Sequence, residues 1–169
     1  MKKQLSRKQF LSLAALGGTV LVSNPRDLFS QTTPSNKPKS EPLAAELVKE
    51  WVTKAHSDLA RVQELFAQEP RLLNAAWDWG GGDFETALEA AGHVGNRPIA
   101  EFLLANGARL NLFCAAMLGK LDIVKSTLTA FPDLKKSGGP HGLKLLHHAR
   151  KGGEPAKAVL EYLESIGAE

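Results

Sequence analysis

From Leu43 onward, apolar residues recur in short blocks, each followed by a small residue and then a second apolar block. Ala87, Leu88, Ala90 and Ala91 lead to Gly95, after which Ile99, Ala100, Phe102, Leu103 and Leu104 close on Gly107-Ala108. Phe113 to Leu118 lead to Gly119 and then to Ile123, Val124 and Leu128. Leu145, Leu146 and Ala149 lead to Gly152-Gly153, then to Val159, Leu163 and Gly167-Ala168. A weaker copy spans Trp51 to Phe66, with Ser57 in the glycine place and Val62, Leu65 and Phe66 in the apolar ones. The spacing i, i+3, i+4 in the second blocks, as in Ile99, Phe102, Leu103 and Val62, Leu65, Phe66, puts the apolar side chains on one helical face. Pro98 and Pro155 stand where second helices should begin, a position proline tolerates. The pattern therefore predicts an all-α chain of helix, tight turn, helix units.

One such unit cannot stand alone. It buries perhaps five large side chains at roughly 1.5–3 kcal/mol each, while ordering its backbone costs about 1–2 kcal/mol per residue. Units stacked on a continuous core win that contest, so about four stacked units are expected, over residues 43–73, 83–108, 109–134 and 142–168.

The first 42 residues follow a different pattern. Lys2, Lys3, Arg7 and Lys8 precede an uncharged run from Phe10 to Val22. Thirteen uncharged residues rise about 20 Å as a helix, short for a membrane span, and residues 1–23 read as an export signal. Ser6-Arg7-Lys8-Gln9-Phe10-Leu11 resembles a twin-arginine signal with lysine in the second arginine's place. Residues 24–42 hold four of the nine prolines among Ser, Thr, Gln and Lys and read as a disordered linker. The folded part is expected to be periplasmic or secreted, with membrane contact only through the leader if it is not cleaved.

Charge changes the picture only once it is placed. The net +3 comes from residues 1–40, where seven bases face one acid, leaving 14 bases against 17 acids from Glu41 onward. A phosphate-neutralising face is not expected, and nucleic acid is excluded as a partner. The single cysteine, Cys114, lies in an apolar run and reads as a buried thiol.

The stretch Thr86 to Ala108 meets the pattern T-x-L-x-x-A-x-x-x-G-x-x-x-I-x-x-x-L-L-x-x-G-A, and Leu146-His147-x-Ala149 echoes the start T-P-L-H-x-A. These residues resemble the ankyrin repeat, and the Trp-Asp-Trp-Gly and Gly-Asp stretch before them resembles that of bacterial exported ankyrin-repeat proteins. Ala87 and Leu145 replace the proline of the motif, and Glu89 one of its histidines. The resemblance implies an ankyrin-type solenoid that binds proteins and needs no cofactor. It also implies that His147 hydrogen-bonds the neighbouring loop.

The turn positions Ser57, Gly95, Gly119 and Gly153 step by 38, 24 and 34 residues, against about 33 for the family. The first junction thus has a surplus, an elongated glycine-hinged finger around Trp77-Asp78-Trp79-Gly80-Gly81-Gly82, and the second lacks its finger. A phosphate loop is excluded by Asp83 and Glu85 after the glycines. In the resemblance, fingers and first helices form the concave binding face. That makes Trp77, Asp78, Trp79, Glu85, Glu89 and His93 the candidate contacts for a protein partner, beside a groove opened by the missing second finger. The alternative for the two tryptophans is that they fold down onto the weak first unit. Glu85 and Glu89, at i and i+4, would share a helix face as solvated acids.

His141, His147 and His148 are close in sequence, but adjacent His147 and His148 point about 100° apart on a helix and do not suit one ion, so no metal site is expected. No nucleophile elbow, H-E-x-x-H or activated cysteine is present, and no catalytic residue is assigned. The expected function is a non-catalytic, monomeric protein-interaction module. The alternatives are a periplasmic small-ligand or metal sensor and a self-assembling structural subunit.

Overall fold

A computed structural model describes residues 41–169. The expected leader and nearly all of the linker lie outside the described residues. Among the described residues, eight α-helices run in pairs: α1 (Ala45–Lys54) with α2 (Leu59–Gln68), α3 (Ala87–Val94) with α4 (Arg97–Ala105), α5 (Leu112–Met117) with α6 (Leu121–Ala130), and α7 (Leu145–Lys151) with α8 (Lys157–Ser165). None is long and apolar enough to cross a membrane.

Local chemistry sets the helix starts. Asp58, Thr86, Asn96 and Asn111 each accept a backbone N–H three residues on, satisfying donors that the first turn leaves unpaired. Thr86 belongs to a full capping box, because the Glu89 carboxylate accepts the Thr86 N–H in return. Pro98 lies in the first turn of α4, as the pattern predicts. Pro155 instead lies in a 3-10 turn, Glu154–Ala156, that leads into α8. Gly95 closes α3 at φ 81°, left-handed, where a side chain would also strike the Lys151 carbonyl.

The first helices of the pairs pack on one another in chain order, α1 on α3, α3 on α5 and α5 on α7, and α7 also touches α3. The core follows them. Trp51, Leu65, Leu72, Leu88, Ile99 and Leu103 fill its first part together with Cys114 and Met117, and Leu145, Val159 and Leu163 fill the second with Ala115 and Ala116. Small residues let α3 and α5 approach closely, since a Cβ on Gly92 would meet Cys114 Sγ at 2.7 Å. Burial holds the Cys114 thiol far above its usual pKa and keeps it unreactive.

Between α2 and α3 the chain forms a two-stranded antiparallel hairpin, β1 (Ala76–Asp78) and β2 (Phe84–Thr86), in the register Ala76 to Thr86, Trp77 to Glu85 and Asp78 to Phe84. Between α4 and α5 no strand forms, and Asn111 starts the next helix directly.

Candidate functional site

The hairpin is a finger whose tip is built from glycine. Gly80, Gly81 and Gly82 all have positive φ (123°, 67° and 87°) and nothing within 4 Å of a built Cβ. Backbone bonds from Trp79 N–H to the Asp83 carbonyl and from Asp83 N–H to the Gly80 carbonyl close the turn. The Asp78 carboxylate accepts the Gly80 N–H at 2.9 Å.

Strand alternation decides what the finger shows and hides. On β2, Phe84 points out and is 61% exposed, whereas its neighbour Glu85 is 0% exposed. This corrects the expectation that Glu85 and Glu89 share a helix face. The capping box makes Thr86 the last residue before α3, so Glu85 belongs to a strand and turns into the molecule. The sequence Thr-x-x-Glu before an apolar run was the signal that could have placed that boundary.

Of the six candidate contacts, the structure gathers three around one point. Glu85 Oε2 accepts the indole N–H of Trp79 at 2.8 Å and lies 3.7 Å from His56 Nε2. Glu85 Oε1 lies 2.8 Å from His93 Nδ1 and 3.5 Å from His141 Nε2. The remaining three are elsewhere. Trp77 is half-buried against the first part of the core, with Lys49 Nζ 5.5 Å from its ring centre. Asp78 is exposed, and Glu89 is held in the cap and by Asn111 Nδ2 at 2.9 Å. Trp77 thus packs down, as the alternative for the tryptophans has it, whereas Trp79 stays 39% exposed.

His56 and His141 complete the cluster; the sequence pattern does not single out His56, and it weighs His141 only beside His147 and His148. His56 stands in the turn after α1, where its Nδ1 faces the Val52 and Thr53 carbonyls at 3.1 Å each. His141 lies in the turn before α7, at φ 59°, a left-handed conformation rare outside glycine. Its N–H donates to Asp83 Oδ1 at 2.8 Å, and its Nδ1 faces Asp83 Oδ2 at 2.7 Å. The rings fan around the carboxylate, with His56 and His93 centred 4.9 Å apart and His93 and His141 5.2 Å apart. All four residues offer a ligand atom within 4.8 Å of the others.

The electrostatics are unusual for a buried acid. Burial by itself would raise the Glu85 pKa, yet the nearby His93 imidazole, the Trp79 N–H and the charge of His93 and His56 together hold it below the ordinary value. Asp83 is also lowered, chiefly by the backbone N–H of His141. The 2.8 Å contact between His93 Nδ1 and Glu85 Oε1 is one of proximity and charge: the N–H does not meet the oxygen at a bonding angle, and both buried atoms are left without a hydrogen-bond partner.

His147 and His148 stay apart from this group. His147 Nε2 reaches the His93 carbonyl at 2.8 Å, tying the last helix pair to the second. His148 is buried, with Nδ1 on the Lys144 carbonyl at 2.9 Å, and desolvation pushes its pKa down to about 4. Beside the short second junction a cleft opens, lined by Asn74, Thr86, Glu89, Arg109 and Asn111. No protein-family model matches the chain, and no curated protein matches it.

Proposed function

We propose that the chain is an exported ankyrin-type solenoid of about four repeats that works outside the cytoplasm as a non-catalytic protein-interaction module, docking its partner on the finger. Stacking of the first helices in chain order supports the repeat assignment. The observation that carries the docking role is the contrast within the finger. Its root is anchored by Glu85, sealed among side chains from three helix pairs, while its tip leaves Phe84 and Trp79 open to solvent. An aromatic pair on a pre-ordered hairpin costs a partner little entropy to engage.

The test is cross-linking and capture from cells that express the full chain, with mass-spectrometric identification of what is bound. A partner held by wild type and by Phe131→Ser, whose side chain is as exposed as Phe84 but remote from the finger, should fall at least about tenfold with Phe84→Ser, the effect of losing 1.4 kcal/mol or more. Equal recovery by both variants would remove the finger from the binding face.

A further inference from the structure

We propose that His56, Glu85, His93 and His141 form a binding site for a divalent transition-metal ion of the zinc class, with Asp83 as its outer support. This goes beyond the docking role, because the site lies at the root of the finger and needs no partner.

The donor set is the first argument. Three imidazoles and one carboxylate suit zinc and its neighbours, whereas calcium and magnesium take oxygen. Four-coordinate zinc with bonds of about 2.0–2.1 Å places its ligand atoms about 3.3 Å from one another. The separations here, 2.8, 3.5 and 3.7 Å between Glu85 oxygens and the three imidazole nitrogens, bracket that value.

Hydrogen bonding on the far side of the rings is the second. Carbonyl and carboxylate oxygens only accept, so His56 Nδ1, facing the Val52 and Thr53 carbonyls, and His141 Nδ1, facing Asp83, must carry protons. In the neutral rings this leaves each Nε2 with a bare lone pair, and each Nε2 is the atom turned toward Glu85. Carbonyl and carboxylate supports of this kind orient metal-binding histidines and raise their basicity. The third argument is a pair of buried atoms: Glu85 Oε1 and His93 Nδ1 lie 2.8 Å apart, yet neither has a hydrogen-bond partner, and a cation shared between them would satisfy both.

Coordination would clasp the turn after α1, the finger, the end of α3 and the turn before α7 with one ion. The test uses the full chain without an affinity tag, stripped with a chelator and titrated with cobalt(II), followed by zinc. One equivalent of cobalt should bind with the intense visible bands of a four-coordinate ion, and zinc should bleach them stoichiometrically. His141→Ala, altered in an exposed turn, should unfold like metal-free wild type yet bind at least about 100-fold more weakly. Asp83→Asn should weaken binding by about 10–100-fold, as expected of an outer partner. Phe84→Ser should leave the stoichiometry at one, so that loss of metal and loss of partner docking are read separately. Absence of cobalt bands with wild type, or unchanged affinity in His141→Ala, would overturn the site and leave the cluster a set of ion pairs.

Discussion

Two junctions between helix pairs solve the same problem with very different amounts of chain. The second, from Asn106 to Asn111, starts α5 with one side chain: Asn111 accepts the Cys114 N–H at 2.8 Å and donates to Glu89. The first starts α3 with an equivalent cap, Thr86, but places before it a hairpin with a buried carboxylate, around which histidines from three other parts of the chain gather. Since a cap alone suffices to begin a helix at one junction, the finger is not there to make the fold continue. Buried ionisable groups weaken a fold unless they are fully paired, which points to a role outside folding for the first junction.

The comparison supposes that both junctions are fastened to one core, and the largest expected effect tests that. Leu103→Ala, in α4 between the two junctions, should cost about 2–5 kcal/mol and lower a single thermal transition. Two resolved transitions would mean that the junctions are held separately.

Acid should act next most strongly, on α7, which touches the first junction through His147 and His93. The unfolded His148 imidazole takes a proton below about 6.5, and the buried one only near 4. Between these values the unfolded chain binds more protons, so stability falls as pH drops from about 6.5 to 4, by about 3 kcal/mol in all. His148→Gln should flatten that part of a stability-against-pH curve; a curve unchanged by the substitution would place the acid sensitivity elsewhere.

The caps come third. Asn111→Ala should cost about 1–2 kcal/mol by denaturant unfolding, and Thr86→Ala less, because Glu89 still accepts the Thr86 N–H at 2.8 Å. The reverse order would mean that the finger depends on its cap more than the short junction does. Phe84→Ser should be the smallest, within about 0.5 kcal/mol of wild type, since most of the residue is exposed to solvent. A larger loss would show that the tip supports the fold and would weaken the contrast between the junctions.

How far the sequence reached differs between fold and site. Gly95 and Gly119 announced tight turns because few other residues accept their left-handed backbone, and both turns are where the spacing puts them. The surplus between Ser57 and Gly95 announced a finger. The placement of Glu85 failed because a two-residue strand alternation beside glycines is too short to outweigh an i, i+4 helical match, although the capping signature at Thr86 and Glu89 was present. His141 was grouped with His147 and His148 on nearness along the chain, whereas its partners are 58 residues away at Asp83 and farther still at His56. The one faint sign was that His56 and His93 each stand beside the turn that ends a first helix.

Helix pairs, their caps, the turn glycines and the existence of the finger are matters of backbone conformation and of apolar period, which act between residues a few positions apart, and the sequence alone determined them. Which side chains meet was decided only by the tertiary structure. The stacking of α1, α3, α5 and α7, with the second junction shortened, brings α7 against α3 and the His141 turn onto Asp83. Only that packing surrounds one carboxylate with imidazoles from the first, second and last helix pairs, because proximity across a stack depends on how many intervening residues each junction spends, and no local pattern records it.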